Sequence, residues 1–370
     1  MNKGVVIIIC LIFCFFSCKT DDEIQKGDQD FEHVELFSGL ENPWGLAELN
    51  DGSWLITERV GRLNRWKDGQ LLNISGLPST IKSIGQGGLM DVLIYQESGN
   101  EASIFFTATN AVGSLHSTAV FSAILNLEKN HLESVKNLYQ ATPLYENGGH
   151  FGSRIVITKN QFLFLGLGER QQQNWAQDNS NSSGCVVRLN LNGSIPPSNP
   201  FTQVDSIADE IWTFGHRNIQ GMDIHPETKE LWTHEHGPKG GDEINVIKKA
   251  KNYGWPLATY GLNYDGTSVS DSTHIQGTEQ PIYFWTPSIA PCGLEIYSGS
   301  VFPQWKHHIF VGALAKQHIN RLSLKGGEVM EEERMFPSFG RFRAIKEGKD
   351  GFIYLLSEGN GGKFTRIQKK

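Results

Sequence analysis

The chain has 370 residues and is acidic, with 40 Asp and Glu against 33 Lys and Arg and a net charge of -7. This charge argues against nucleic acid as a partner. Forty glycines and 11% aromatic residues suit many short strands joined by tight turns, and the sequence shows no long amphipathic helical stretch.

Residues 1–17 are predicted to be a signal peptide of the lipoprotein type. An early lysine and an apolar run too short to span a bilayer comfortably precede Ser17 and Cys18. This order resembles a bacterial lipobox, although Phe15 stands where leucine is usual. Residues 18–30 then form a polar tether. We therefore expect an exported lipoprotein held on a membrane through Cys18, facing the periplasm or the surface of a bacterium; a plain signal peptide or an anchor helix are the alternatives.

Two cysteines, Cys185 and Cys292, remain in the folded part, because the other three belong to the signal segment. An exported protein can pair them, but nothing in their spacing indicates a disulfide. Two buried free thiols are the plainer interpretation.

Residues 31–370 repeat one pattern six times: a polar or glycine-containing turn, a strand of alternating apolar residues, and a second strand that follows it. Each copy takes about 57 residues, near the size of a four-stranded propeller blade with generous loops. A β-sandwich would need fewer strands and no such repeat. The six strand pairs begin at or near Trp54, Ile104, Phe162, Glu230, Ile309 and Ile353. The prediction is an all-β, six-bladed β-propeller, closed by an early strand at residues 33–37 against the last blade.

Two distant polar strings place arginine beside glycine inside otherwise apolar strands. One contains Arg217 and Asn218, and the other contains Arg341 and Arg343. Each guanidinium offers a fixed fork of donors to a carboxylate or phosphate, so grouped arginines suit a small polyanion.

Two glycine-rich turns offer further polar side chains. Gln86 stands among three glycines, which let a backbone approach a ligand closely. His150 also lies among glycines, and histidine is well suited to accept a proton near neutral pH. A tight turn and a surface histidine are the structural alternatives.

A turn through Gly237 and Pro238, beside Glu235, favours a calcium site over a zinc site. Zinc on His234 and His236 would need a third ligand, and the nearest other histidine lies on another predicted strand. Calcium takes hard oxygens, which the turn carbonyls and nearby carboxylates supply.

Two aromatic-proline loops, at residues 252–256 and 285–291, contain rigid platforms of the kind that line sugar clefts. Trp285 in the second loop is our candidate for substrate contact. Packing at a blade edge is an equally good interpretation of each loop.

Seven strings in order resemble the soluble aldose sugar dehydrogenases of the glucose/sorbosone dehydrogenase family, which use pyrroloquinoline quinone (PQQ). The likeness covers about residues 40–367. The strings begin at Asn42, Thr57, Gly85, Gly215, Glu235, Asn252 and Gly340. The resemblance implies a six-bladed propeller with the quinone lying flat over the central axis, and PQQ- and calcium-dependent oxidation of an aldose.

The resemblance also implies a role for each residue of the predicted catalytic centre. His150 matches the general base that takes the proton of the anomeric hydroxyl, while the C1 hydrogen leaves as hydride to the quinone and a lactone forms. Gln86 matches a residue beside the base and the substrate and is also a candidate cofactor contact. Arg217 and Asn218 match cofactor ligands near the reactive carbonyl.

The remaining matches concern the cofactor and the metal. Arg341 and Arg343 match residues that hold the cofactor carboxylates, and the carbonyls of Gly237 and Pro238 match ligands of a calcium ion that polarises the quinone. A cofactor-binding lysine is expected in the loop 313–316, where Lys316 is displaced by one position. The partners expected are a small aldose and an electron acceptor that the sequence does not identify.

Three residues depart from the pattern of the family. Glu169 stands where aspartate is frequent, Ala344 replaces an acidic residue after the paired arginines, and Cys292 replaces a small hydroxyl residue. The last change would alter the substrate pocket.

Two other functions compete with the dehydrogenase. One is a non-catalytic propeller lipoprotein that binds a sugar or a protein partner, and the other is a calcium-dependent lactonase. Fold alone does not choose between them. His150 and the paired arginines favour the enzyme, because a lactonase has no use for Arg341 and Arg343.

Overall fold

The computed structural model describes residues 25–26, 30–337 and 339–370. The predicted signal peptide and Cys18 lie outside the described residues. Within the described part, no helix has both the length and the apolar character that crossing a membrane requires.

The described chain forms six sheets, each with four antiparallel strands as predicted, and one of them has a short fifth strand added in parallel. It begins with β1 (Gln25–Lys26) and β2 (Phe31–Glu41), which join sheets formed later. Blade 1 contains β3 (Pro43–Glu48), β4 (Trp54–Glu58), β5 (Arg62–Lys67) and β6 (Gln70–Ile74). Blade 2 contains β7 (Leu89–Ser98), β8 (Glu101–Val112), β9 (Leu115–Asn126) and β10 (His131–Gln140). Blade 3 contains β11 (Ile155–Ile157), β12 (Phe162–Gly166), β13 (Val186–Asn190) and β14 (Ile211–Thr213).

The second half of the chain completes the ring with three more blades. Blade 4 contains β15 (Ile219–Ile224), β16 (Leu231–Glu235), β17 (Asp242–Ile247) and β18 (Tyr283–Trp285). Blade 5 contains β19 (Pro291–Ile296), β20 (Ile309–Ala313), β21 (Ile319–Lys325) and β22 (Glu328–Met335), with β1 added in parallel to β22. Blade 6 contains β23 (Phe342–Glu347), β24 (Ile353–Ser357), β25 (Asn360–Lys369) and β2. Two short 3₁₀ helices cover Gln173–Gln177 and Pro303–Trp305.

The first strand of each blade lies at the central axis. The strands β3, β7, β11, β15, β19 and β23 contact one another in that order, and β23 returns to β3. The repeat in the sequence corresponds to the second and third strands of each blade, of which the second strands are largely buried. One blade cannot cover both faces of its own sheet, so the blades stack around the axis.

The ring is closed by β2, which pairs antiparallel with β25 and brings His33 opposite Ile367. This confirms the predicted closure by the early strand. A hydrophobic cluster joins the last blade to the first and includes Trp54 and Phe364, whose rings lie 5.6 Å apart. The two ends of the folded chain are therefore held in one sheet.

Both cysteines of the folded part are free and buried. The thiol of Cys185 lies 3.5 Å from the carbonyl oxygen of Ser183, and Cys292 lies on β19 at the axis. The plainer interpretation of the sequence, two buried thiols, is confirmed.

Replacing Phe364 with alanine tests the closure. The ring is fully buried between the first and last blades, so we expect Phe364→Ala to lower the free energy of unfolding by about 3–5 kcal/mol. The matched control is Tyr264→Ala, because that ring is 75% exposed and its loss should cost no more than about 0.5 kcal/mol. Urea denaturation measures both, and a loss below about 1 kcal/mol in Phe364→Ala would contradict this role.

Candidate active site

A cavity of about 390 Å³ lies at one end of the central channel. All six blades contribute to it. The lining residues lie at or just before the start of an inner strand, or just after the end of a second strand. The lining residues are Asn42, Trp44, Arg59, Gln86, Met90, Phe151, Gly152, Asn218, Gln220, His236, Ala290, Leu314, Arg341, Arg343, Glu358 and Gly359. Three guanidinium groups and several amides thus face one small space, which suits an anionic ligand.

The paired arginines share one carboxylate. Glu358 accepts hydrogen bonds from Nε and Nη2 of Arg341 at 3.0 and 2.9 Å, and from Nη2 of Arg343 at 2.5 Å. Burial alone would raise the pKa of the Glu358 carboxyl, but Arg343 and Arg341 outweigh this effect and lower the pKa to about 2. With Arg59 included, the group keeps an excess of positive charge at neutral pH.

Arg343 is buried, and not all of its donors have acceptors. Its Nη1 donates to Oε1 of Gln220 at 3.0 Å and lies 3.1 Å from the thiol of Cys292, whereas its buried Nε has no hydrogen-bond partner. A buried donor without an acceptor is costly, so this nitrogen fits a group that the ligand would supply. Cys292 is fully buried, and its thiol therefore supports Arg343 and does not line the cavity.

A second buried arginine forms the floor of the site. Arg154 donates to the carbonyl oxygens of Gln220 at 2.8 Å and Arg343 at 2.9 Å, and to Asp91 at 3.2 Å. Its guanidinium also lies over the Trp44 ring at 3.9 Å. Arg154 thus ties together inner strands from several blades directly beneath the cavity.

His150 is held from two sides. Its Nδ1 donates to Oε2 of Glu169 at 2.6 Å, and its main-chain nitrogen donates to Oε1 of Gln86 at 2.9 Å. His150 is 7% exposed and has a φ of 47°, in the left-handed region. The carboxylate fixes the imidazole so that Nε2 is the nitrogen left to accept a proton. Glu169, a departure from the usual aspartate, is therefore the hydrogen-bond partner of the His150 ring.

Arg217 and Asn218 follow His216 into the inner strand of blade 4. Arg217 donates from Nη1 to the carbonyl oxygens of Gly237 at 2.7 Å and His236 at 3.1 Å. The Oδ1 atom of Asn218 accepts from the main-chain nitrogen of Gly152 at 3.1 Å. Asn218 lines the cavity, and Arg217 contacts the turn that the sequence suggests for calcium.

The carboxylates near that turn bind protein donors. Glu235 accepts from Nδ1 of His216 at 2.8 Å and from the main-chain nitrogen of Arg217 at 3.1 Å. Asp242 accepts from the main-chain nitrogen of Gly237 at 2.8 Å, and burial raises its pKa to about 6. These bonds shape the turn, and they favour a supporting role for Glu235 over the metal ligation proposed from the sequence.

The two histidines considered for zinc bind main-chain oxygens. His234 donates from Nε2 to the carbonyl of Gly293 at 3.0 Å, and His236 to that of Pro291 at 2.9 Å. Burial lowers the pKa of both imidazoles, that of His234 to about 3. Among the described residues, no group of three or more His, Cys, Asp and Glu side chains is arranged to hold a metal ion.

Of the side chains predicted from the sequence, Gln86, Asn218, Arg341 and Arg343 line the cavity, whereas His150 and Arg217 directly precede lining residues without lining it themselves. Trp285 and Lys316 lie away from it. Trp285 is 3% exposed and donates from Nε1 to Glu332 at 3.2 Å, within the hydrophobic core of blades 4 and 5. This position favours the packing interpretation over substrate contact. Lys316 is exposed on the turn after β20, where Leu314 is the residue that lines the cavity.

Sequence reasoning missed several residues that line or support the site, among them Trp44, Arg59, Gln220 and Glu358. Trp44 and Arg59 lie within strings that carry the family resemblance, so a signal for them was present. Gln220 and Glu358 stand outside those strings. Only the structure shows that Glu358 accepts hydrogen bonds from both Arg341 and Arg343.

Comparison with known proteins agrees with this geometry. The sequence profile of the Glucose / Sorbosone dehydrogenase family matches residues 40–366. Aldose sugar dehydrogenase YliI of Escherichia coli (strain K12) is 38% identical over 339 residues, which cover 90% of this chain and 91% of that protein.

Solved structures show the same architecture. The apo-form of the soluble aldose sugar dehydrogenase from Escherichia coli superposes with a TM-score of 0.86 at 35% identity, covering 92% of this chain and 100% of that one. The PQQ-bound aldose sugar dehydrogenase from Streptomyces coelicolor shares the fold, with a TM-score of 0.76 at 21% identity over 93% and 99% of the chains. The chain therefore belongs to the glucose/sorbosone dehydrogenase family and is an oxidoreductase that acts on sugars.

Proposed function

We propose that the protein oxidises aldoses at C1 to the lactone, with PQQ as its cofactor and His150 as the general base. The observation that carries this proposal is one cavity whose lining combines three arginines with Phe151, which follows His150, and with Gln86, which binds the main chain of His150. The proposed reaction needs cationic groups to bind the cofactor and a base to take the hydroxyl proton. The arginines are candidates for the first role and His150 for the second. The PQQ-bound relative with the same fold adds support.

The lining residues fit a quinone that carries carboxylates. Arg343 offers its buried Nε, which has no acceptor, and Arg341 and Arg59 add positive charge at the same side of the cavity. Gln86 and Asn218 contribute amides from blades 2 and 4. When bound, PQQ would supply the acceptor for the hydride that leaves C1 of the sugar.

The chain itself handles the proton. His150 accepts the proton of the anomeric hydroxyl at Nε2, while Glu169 holds Nδ1 and stabilises the imidazolium that results. Gln86 binds the main chain of His150 and also lines the cavity, so it couples the position of the base to the ligand.

We also propose calcium at the Gly237–Pro238 turn. Calcium accepts hard oxygen ligands, and main-chain carbonyls supply them there without a carboxylate. The carbonyl of Gly237 receives a hydrogen bond from Arg217, and a carbonyl oxygen has a second lone pair for a cation. Arg217 would then lie beside both the ion and the quinone.

The first test is dye reduction by the apoprotein reconstituted with PQQ and calcium, across a panel of aldoses. We expect activity in the wild type and a loss of about a hundredfold to ten-thousandfold in turnover for His150→Gln. PQQ binding, followed by its absorbance, should change little, because His150 is not among the residues expected to bind it. The control is His307→Ala, on the outer part of blade 5, which should retain full turnover. Normal turnover in His150→Gln would refute the assignment of the base.

A second test concerns the cofactor carboxylates. Loss of a charge-assisted hydrogen bond typically costs about 1.5–3 kcal/mol, so Arg343→Met should weaken PQQ binding about tenfold to hundredfold. Arg341→Met should have a smaller effect, because this side chain is 48% exposed. Titration calorimetry measures both, with Arg366→Met as a control that does not line the cavity. Unchanged affinity in the Arg343 and Arg341 variants would assign them a structural role.

We further propose that Cys18 carries a lipid that anchors the protein to a membrane. The support is the sequence alone, in which the polar tether would give the propeller room to move from the bilayer. Cell fractionation and mass spectrometry of the mature N-terminus test it. Wild-type protein should be in the membrane fraction, and Cys18→Ser should release it. An unmodified N-terminus downstream of Cys18 in soluble wild-type protein would contradict the anchor and leave the enzymatic proposal intact.

A further inference from the structure

The residue after Glu169 is a buried arginine that the proposed chemistry does not use. Arg170 is 4% exposed. Its Nε donates to the carbonyl of Gly149 at 2.9 Å, its Nη1 to that of His116 at 3.1 Å, and its Nη2 to that of Asn147. Two of these three oxygens belong to the turn that leads into His150.

The guanidinium thus binds main-chain oxygens and not a carboxylate. One of its faces lies over the Phe151 ring at 4.0 Å. Burial lowers the pKa of Arg170 to about 10, so the group remains charged at neutral pH. Burying a cation whose hydrogen bonds all go to neutral carbonyl oxygens is costly, so the segment that Arg170 binds deserves examination.

Both that segment and the one that carries Arg170 contain strained backbone. His150, Arg170 and Gln171 have φ values of 47°, 59° and 59°, in a region that residues other than glycine seldom adopt. Such residues are energetically costly and persist only where their surroundings fix them. Arg170 binds the turn through its side chain and also donates its main-chain nitrogen to the carbonyl of His150 at 3.3 Å.

Further hydrogen bonds hold the turn, one from another blade and one within the turn itself. Gln86 accepts from the main-chain nitrogen of His150, and Asn147 accepts from that of Gly149 at 2.8 Å through its side chain. The turn is therefore bound along its whole length, and Arg170 supplies more of these bonds than any of these partners.

We propose that Arg170 is a positioning residue for the general base. Its guanidinium fixes the main chain of residues 147–150, so that His150 keeps Nδ1 on Glu169 and leaves Nε2 for the substrate. This inference rests on the proposed role of His150. A displacement of about 1 Å at a reacting group can cost about a hundredfold in rate, so loss of these bonds should be visible in turnover.

The test compares Arg170→Met with a matched control, Arg188→Met. Arg188 is also buried, at 7% exposure, and its guanidinium lies over the Trp212 ring at 4.3 Å, but its Nε donates to Asn199 at 2.7 Å, away from the cavity. We expect both variants to lose thermal stability. Only Arg170→Met should lose about tenfold to hundredfold in kcat at a temperature where both are folded, with PQQ affinity within about twofold of the wild type.

A spectroscopic measurement separates positioning from general destabilisation. In protein labelled with ¹⁵N-histidine, the Nδ1 proton of His150 should give a downfield, slowly exchanging signal, identified by its absence in His150→Gln. We expect this signal to be lost in Arg170→Met and kept in Arg188→Met. Arg170→Lys should recover little of it, because one ammonium cannot replace a fork that reaches three carbonyls.

Either of two results would overturn the proposal. The first is wild-type turnover and an intact Nδ1 signal in Arg170→Met. The second is an equal loss of both in Arg188→Met, which would indicate a general loss of packing. If the wild type itself oxidised no sugar, the proposed function would fail, and the Nδ1 signal would still decide whether Arg170 positions His150.

Discussion

Buried positive charge at the propeller axis is the constraint on which the rest of the site depends. Arg154, Arg170, Arg217 and Arg343 are each less than a tenth exposed, and an unpaired buried cation is strongly destabilising. Most of the hydrogen bonds that these guanidinium groups donate go to main-chain carbonyl oxygens. Of those oxygens, most belong to the inner strands and to the turns next to them. The six-fold ring is what brings those segments from distant parts of the sequence to one place.

Most of the charged groups at the site are held by hydrogen bonds, but one buried donor is not. Arg154 ties the inner strands together below the cavity, and Glu358 neutralises part of the charge above it. The buried Nε of Arg343 remains without an acceptor. A cavity that has excess positive charge and an unsatisfied donor is prepared for an anion, and the family to which the chain belongs provides a candidate in the quinone.

The sequence was sufficient for the parts of the fold that repeat. The second and third strands of each blade have regular alternation, and all six pairs were predicted. The inner strands were harder to recognise, because residues such as Arg154, Gln220 and Arg343 interrupt their apolar pattern with groups that serve the axis. Strands of three residues, such as β11 and β14, carry too little pattern to be recognised in any sequence.

The structure brings several of the predicted site residues to one end of the channel. Gln86, Asn218, Arg341 and Arg343 line the cavity, and His150 directly precedes the lining residue Phe151, while their chemical roles stay predictions. Trp285 was a poor candidate for substrate contact, because an aromatic residue in a proline-rich loop packs in a core as readily as it lines a cleft. Glu358 and Arg170 were missed, since their importance depends on contacts with residues that the chain brings near only when folded.

The most direct test of the central claim is a crystal structure of the protein grown with saturating PQQ. We expect the quinone in the cavity at the end of the central channel, with one of its carboxylates accepting a hydrogen bond from Nε of Arg343. Electron density for PQQ at another surface, or an empty cavity at saturating cofactor, would contradict the proposal that this group of arginines is a cofactor site.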